Sequence, residues 1–172
     1  SILNEVHQAL AGSIALDDLL ELILERVFDH LRPEKGAVYL QDAEGDLYQA
    51  AYRPLDLGEG ELRLSQSLCR EVVDKGMAAL VHDVATDDRF AEARSLLESG
   101  VRTLLAAPLT HSAGTLGMIA LSSPAGGRIF TEGDMDLLTS LASVAIWLPR
   151  TSSLVSRALS PPSRMPASTS SA

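Results

Sequence analysis

Two apolar runs flanking a short polar turn constrain this chain more than any other feature. Leu104-Leu-Ala-Ala-Pro-Leu109 and Thr115-Leu-Gly-Met-Ile-Ala-Leu121 are of strand length and lie on either side of His111-Ser-Ala-Gly114. A strand with one wet face alternates apolar and polar residues, whereas these runs are apolar at odd and even positions alike, so both faces need cover. They predict a hairpin at the centre of a sheet with packed layers above and below it. Pro108 offers no amide proton and must fall at a strand end or bulge.

The flanking segments supply those layers. Asp17 is placed to cap a helix over 18–31, with Leu19, Leu20, Ile23, Val27 and Leu31 on one stripe and Glu21, Glu25 and Asp29 outside it. Pro33 lies just past its end. A first hairpin follows, 36–41 and 47–52, across the turn residues Asp42-Ala-Glu-Gly-Asp46. That acidic turn lacks the length and closing glutamate of a calcium loop and reads as a solvated turn. A short helix over 67–75 stops at Gly76, and 77–82 is a further strand. Thr86 or Asp87 can cap a helix running to Ser99. The last helix, 132–148, opens on Thr131-Glu-Gly-Asp134, a capping box. A short amphipathic helix at 2–11 precedes all of these. Hairpins without βαβ crossovers give a mostly antiparallel sheet and the α+β class.

The 172 residues suit one domain, and 46% apolar content supports a real core. The net charge of -9 argues against a nucleic-acid-binding face, and no apolar run approaches the ~20 residues of a membrane span. Residues 149–172 are different: no acid, three arginines, four prolines and eight serines. They are expected to be disordered, either as a natural Ser/Pro linker or as a junction or frame artefact. Without that tail the body has 11 basic against 23 acidic residues, a charge of -12. The expected organisation is a linker helix at 1–12, one domain at 13–148 and the tail. A chain starting at Ser1 reads as a piece of a longer protein, and the absence of a signal-peptide pattern makes a cytoplasmic setting the default.

Catalytic signatures are missing. There is no Gly-rich phosphate loop, no Gly-x-Ser-x-Gly elbow and no His-Glu-x-x-His helix, so no enzyme is expected. His7, His30, His82 and His111 are dispersed without metal-ligand spacing. Cys69 stands alone among Leu68, Val72 and Val73 and is expected to pack rather than react.

The order of elements and several strings together resemble the GAF domain. The strings are Ala37-Val-Tyr-Leu-Gln-Asp42, Ser67 to Gly76 followed by Leu80-Val-His-Asp83, Asp87-Asp-Arg-Phe90, Ser99-Gly-Val-Arg-Thr-Leu104, Ala107-Pro-Leu109, Leu116-Gly-Met-Ile119 and Phe130-Thr-Glu-Gly-Asp134. The resemblance implies a GAF-like, PAS-related sheet with helices on one face and a loop-and-helix lid on the other, built here from 53–66, 67–75 and 83–99. It implies a non-catalytic, cytoplasmic sensor in a bacterial signalling protein, binding an unidentified small molecule and regulating a fused effector. Homodimerisation would run through helices 2–11 and 132–148. The positions implied for ligand contact are Tyr39, Tyr52, Ser67, His82, Asp87, Arg89, Phe90, Arg102 and Thr103. Six of them have a plainer role: Tyr39 and Tyr52 as packing, His82 as a partly exposed or hydrogen-bonded histidine, Asp87 as a cap, Arg89 and Arg102 as partners of nearby aspartates.

No cofactor can be assigned. Cyclic-nucleotide-binding relatives carry an acidic pair at the offset from Phe90 that Arg94-Ser95 occupies here. Bilin-binding motifs are not evident, and sulfoxide reduction needs more than one cysteine. The alternative to a sensor is a GAF domain without a ligand, kept as a dimerisation scaffold.

Overall fold

The computed structural model describes residues 16–55, 64–86, 100–111 and 114–144. Helix α1 spans Leu16–Leu31, and Leu19, Leu20, Ile23, Leu24, Val27 and Leu31 are all buried. These positions fall at i, i+4 and i, i+3 spacings, so one stripe of the helix is withdrawn from water. Asp17 lies within the first turn rather than at the cap, where its charge still favours the helix dipole.

Strands β1 (Lys35–Gln41) and β2 (Leu47–Arg53) form the first hairpin. The Asp42 carboxylate closes its turn by accepting from the Glu44 and Asp46 amides, both at 2.9 Å. Next comes a short helix α2 (Gln66–Cys69), capped by the Ser65 hydroxyl, which runs directly into a π turn over Arg70–Asp74. Gly76 ends this segment at φ +64°, a conformation glycine adopts without a Cβ penalty. Strand β3 is only Ala79–Val81, shorter than the run at 77–82 suggests.

The central hairpin is longer than its apolar runs: β4 spans Val101–His111 and β5 spans Gly114–Pro124. Pro108 sits inside β4, beyond the last β3 pairing at Ala79↔Ala106 and beside the register shift between Leu109 and Thr110. The missing amide proton is therefore tolerated where β4 has lost its outer neighbour.

Among the described residues the pairings between strands are antiparallel, in the order β2-β1-β5-β4-β3. The fold is α+β, an open antiparallel sheet covered on both faces. On one face, Val38, Leu40, Leu105, Leu109, Ile119 and Leu121 pack with α1 and with helix α3, Glu132–Leu141. On the other, Ala37, Tyr39, Leu104, Ala106, Met118 and Ala120 pack with Leu68, Val72 and Val73 of α2 and the π turn. Fully burying one such aliphatic side chain stabilises by roughly 1.5–3 kcal/mol.

Helix α3 begins with the expected capping box but stops at Leu141. The Thr110 amide of β4 donates to the Ala142 carbonyl at 3.0 Å, and Ser143 bridges to Thr110. An isolated bridge to β4 thus holds the chain at 142–143, where the sequence pattern predicts that the helix continues. The expected helices at 2–11 and 87–99, residues 145–148 and the tail lie outside the described residues. No helix among the described residues is long and apolar enough to cross a membrane.

Candidate functional site

Among the described residues, clefts open at opposite ends of the sheet, and two of them gather polar side chains. The first lies on the α2 face, between the β1–β2 turn and the π turn, with a volume of about 410 Å³. Asp46 and Leu47 form one wall, held by the Asp42-closed turn. Gln66, Cys69, Arg70 and Asp74 form the other. Leu47, Leu64, Cys69 and Val73 belong to the apolar cluster of this face, so the cleft has a greasy floor and a polar rim. The π turn widens the backbone spiral where Arg70 and Asp74 reach that rim; such turns are rare and recur at functional sites.

Cys69 is half-buried, and burial raises its thiol pKa, with the Asp74 carboxylate adding to the effect. A raised pKa keeps the sulfur protonated and poorly nucleophilic, which agrees with packing rather than reaction.

The second cleft, about 470 Å³, lies where β3 ends, β4 begins and β5 passes into the loop before α3. His82, Arg102, Thr103, Pro124, Arg128 and Ile129 are among its lining residues. Asp83 turns the chain out of β3: its carboxylate accepts from the Ala85 amide at 2.9 Å. The Val84 amide donates to the Arg102 carbonyl at 2.7 Å, locking that exit against β4. The Arg102 guanidinium lies 3.8 Å from Asp83 Oδ1, an ion pair too long for a hydrogen bond. Arg128 donates to Asp134 Oδ1 at 3.2 Å, so the residue that caps α3 also positions this cation.

Of the residues singled out from sequence, His82, Arg102 and Thr103 come together in the second cleft. Tyr39 is 9% exposed and packs in the core of the α2 face. Burial and the neighbouring Cys69 raise its phenol pKa far above the usual range. Tyr52, opposite Ala37 in the ladder, packs against the same core. Ser67 is exposed on α2 and lines neither cleft. Asp87, Arg89 and Phe90 lie outside the described residues. Sequence reasoning did not single out Arg128, Arg70, Asp74, Gln41 and Gln66 as site residues, although Gln41, Arg70 and Asp74 lie in strings that carry the family resemblance. The pair Gly126-Gly127 marks a turn lining the second cleft, a signal that could have drawn attention to Arg128. Among the described residues no group of three His, Cys, Asp or Glu side chains could hold a metal ion.

An open antiparallel sheet with helices on one face and a cleft-bearing cover on the other defines the class. Within that class, the GAF domain model matches residues 13–145, and the chain belongs to the GAF family. Solved structures of the same fold include a GAF domain/HD domain protein from Geobacter sulfurreducens, with a TM-score of 0.60 and 14% identity over 82% of this chain and 92% of that one. A domain of a protein named as a two-component sensor histidine kinase from Sinorhizobium meliloti has a TM-score of 0.57 and 18% identity, covering 86% of this chain and 100% of that one. The photoproduct state of a GAF domain from Synechocystis has a TM-score of 0.62 and 16% identity, covering 85% and 100%. At these identities the likeness is one of fold. No curated protein sequence matches the chain.

Proposed function

We propose that this chain is the sensory GAF domain of a bacterial signal-transduction protein, binding a small polar molecule in the cleft on the α2 face. The observation that carries this reading is the composition of that cleft: an apolar floor under a rim of Gln41, Asp46, Gln66, Arg70 and Asp74. Donors and acceptors converging over apolar surface suit a small ligand bearing both kinds of group. Leu64 and Gln66, at the end of the 53–66 segment that the family resemblance implies as part of a lid, line the cleft. Of the other positions singled out from sequence, Tyr39, Tyr52 and Ser67 do not line this cleft, and Asp87, Arg89 and Phe90 would contribute from the segment that follows β3. His82, Arg102 and Thr103 belong to the second cleft.

The domain in this reading is 13–148, flanked by a linker helix and a tail, and it acts without catalysis in the cytoplasm. The Geobacter and Sinorhizobium proteins are named for an HD domain and a histidine kinase respectively, which supports an effector fused to this domain as well. Signalling would follow a population shift: the ligand binds one packing of α1 and α3 better than another, and a homodimer through 2–11 and 132–148 passes the change on. The second reading, a dimerisation scaffold without ligand, draws on the apolar core beneath the cleft, where Tyr39, Leu68, Val72 and Met118 are buried together.

Native mass spectrometry of freshly purified chain, before and after mild denaturation, separates the two. A defined excess mass that disappears on unfolding supports the sensor. A clean dimer whose mass and melting temperature respond to no added small molecule supports the scaffold.

A further inference from the structure

The second cleft lies apart from the one assigned to the sensed molecule. Its register fixes the face it opens on. Thr103 pairs with Ser123, and two residues along the same ladder Leu105 pairs with Leu121. Directly opposed residues share a face, as do residues two apart. Leu105 and Leu121 belong to the core packed by α1 and α3, so Thr103 and Ser123 face that side too. The cleft is therefore not part of the α2-face cavity.

From its contents we infer that this cleft is a binding site for the phosphate group of a small organic molecule. Three elements contribute nitrogen donors: His82 follows β3, Arg102 stands in β4 and Arg128 lies in the β5–α3 loop. Donors approaching from separate elements suit a tetrahedral oxyanion, whereas a planar carboxylate is satisfied by one guanidinium fork. Neither arginine is exhausted by its carboxylate among the described residues. Arg102 makes no hydrogen bond to Asp83 at 3.8 Å, and Arg128 gives Asp134 a single nitrogen. Asp134 Oδ2 is already taken by the Thr131 amide, so this carboxylate is fixed as a cap and holds Arg128 in place.

A second observation is independent of the charges. Ser123 is 2% exposed, and its hydroxyl has no hydrogen-bond partner among the described residues. Buried polar atoms are nearly always paired, and this unmet hydroxyl lies behind the cleft wall, next in sequence to Pro124 and opposite Thr103 in the ladder, without itself lining the cleft. The cleft is also too large for a bare ion: about 470 Å³, walled on one side by Pro124 and by Ile129, which is 74% exposed. An organic body carrying the phosphate would cover that apolar wall. Asp83 also lines the cleft and Asp134 holds Arg128, so the site offers directed donors rather than a net positive charge.

The test is isothermal titration of the full chain, at fixed ionic strength, with inorganic phosphate, phenyl phosphate and phenol. Phenyl phosphate should bind more tightly than phosphate, and phenol should not bind at this site. Arg102→Gln and Arg128→Gln should each weaken phenyl phosphate by about tenfold or more, the usual effect of losing a charge-assisted hydrogen bond. Arg128→Lys keeps charge but not the fork and should fall between. Arg70→Gln, in the other cleft, should change nothing. Circular dichroism and melting temperature verify that each variant is folded. The inference is overturned if neither phosphate probe gives saturable binding, if folded Arg102→Gln and Arg128→Gln bind as the parent does, or if Arg70→Gln abolishes binding. Because a chain purified without any adduct could still pass this test, its outcome is separable from that of the sensor reading.

Discussion

Thr131 and Asp134 close the first turn of α3 on each other. The Thr131 hydroxyl accepts from the Asp134 amide at 3.2 Å, and the Asp134 carboxylate accepts from the Thr131 amide at 2.9 Å. Two amides that a helix start leaves unpaired are satisfied reciprocally. Thr131→Ala removes one of these acceptors and should destabilise the domain by about 1 kcal/mol in urea unfolding. Thr131→Asp should restore most of that loss.

Gly117 sits in β5 opposite Leu40, with β1 so close that a Cβ built on it would fall 1.9 Å from the Tyr39 carbonyl oxygen. The obstacle is backbone, which cannot swing aside as a side chain tip would. Gly117→Ala should therefore cost about 3 kcal/mol or more, a large value for one methyl group. Gly45, in the exposed β1–β2 turn, has nothing within 4 Å of its built Cβ but stands at φ +87°. Its replacement by alanine should cost about 1 kcal/mol, from backbone strain alone.

Much of this architecture was legible in the sequence, for reasons that individual residues make clear. The stripe from Leu19 to Leu31 has helical period, and the capping box at Thr131 announces a helix start. The two-faced apolar runs of β4 and β5 required layers on both sides, and both are present. The ends of elements were less visible. Val101-Arg-Thr103 and Ser122-Ser-Pro124 join the central hairpin through backbone pairing, which carries no hydrophobic signature. The end of α3 is set by Thr110 reaching the Ala142 carbonyl, a tertiary contact with no local trace. The π turn at Arg70–Asp74 likewise has no period to betray it. Site residues follow the same division: His82, Arg102 and Thr103 could be picked out because they flank recognisable strands, whereas Arg128 and Ser123 acquire their place only when β5 and its following loop fold.

Cys69 supplies a chemical check on the lid-side cleft. Burial and the Asp74 carboxylate both disfavour its thiolate. Reaction with an aromatic disulfide reagent at neutral pH should be slower in the native chain than in urea. Asp74→Asn should speed the native reaction, since it removes the repulsive charge while leaving the helix intact. Equal rates in the two native proteins would mean that access alone controls the sulfur.

His111 ends β4, next to the residue that anchors α3, and it is 8% exposed. Burial lowers its pKa from 6.5. The folded state thus binds this proton less readily than the unfolded state does. Well above pH 6.5 the imidazole is neutral in both states and its contribution leaves stability at its full value. As pH falls through that value the unfolded chain takes up the proton first, so stability declines, and the decline levels off once pH is below the folded pKa. Urea midpoints measured between about pH 7.5 and 5.5 should fall accordingly. His111→Phe keeps an aromatic ring at the end of β4 but cannot titrate, and its midpoint should fall less over the same interval. Parallel slopes in the two proteins would assign the acid sensitivity to carboxylates elsewhere and would remove His111 as its source.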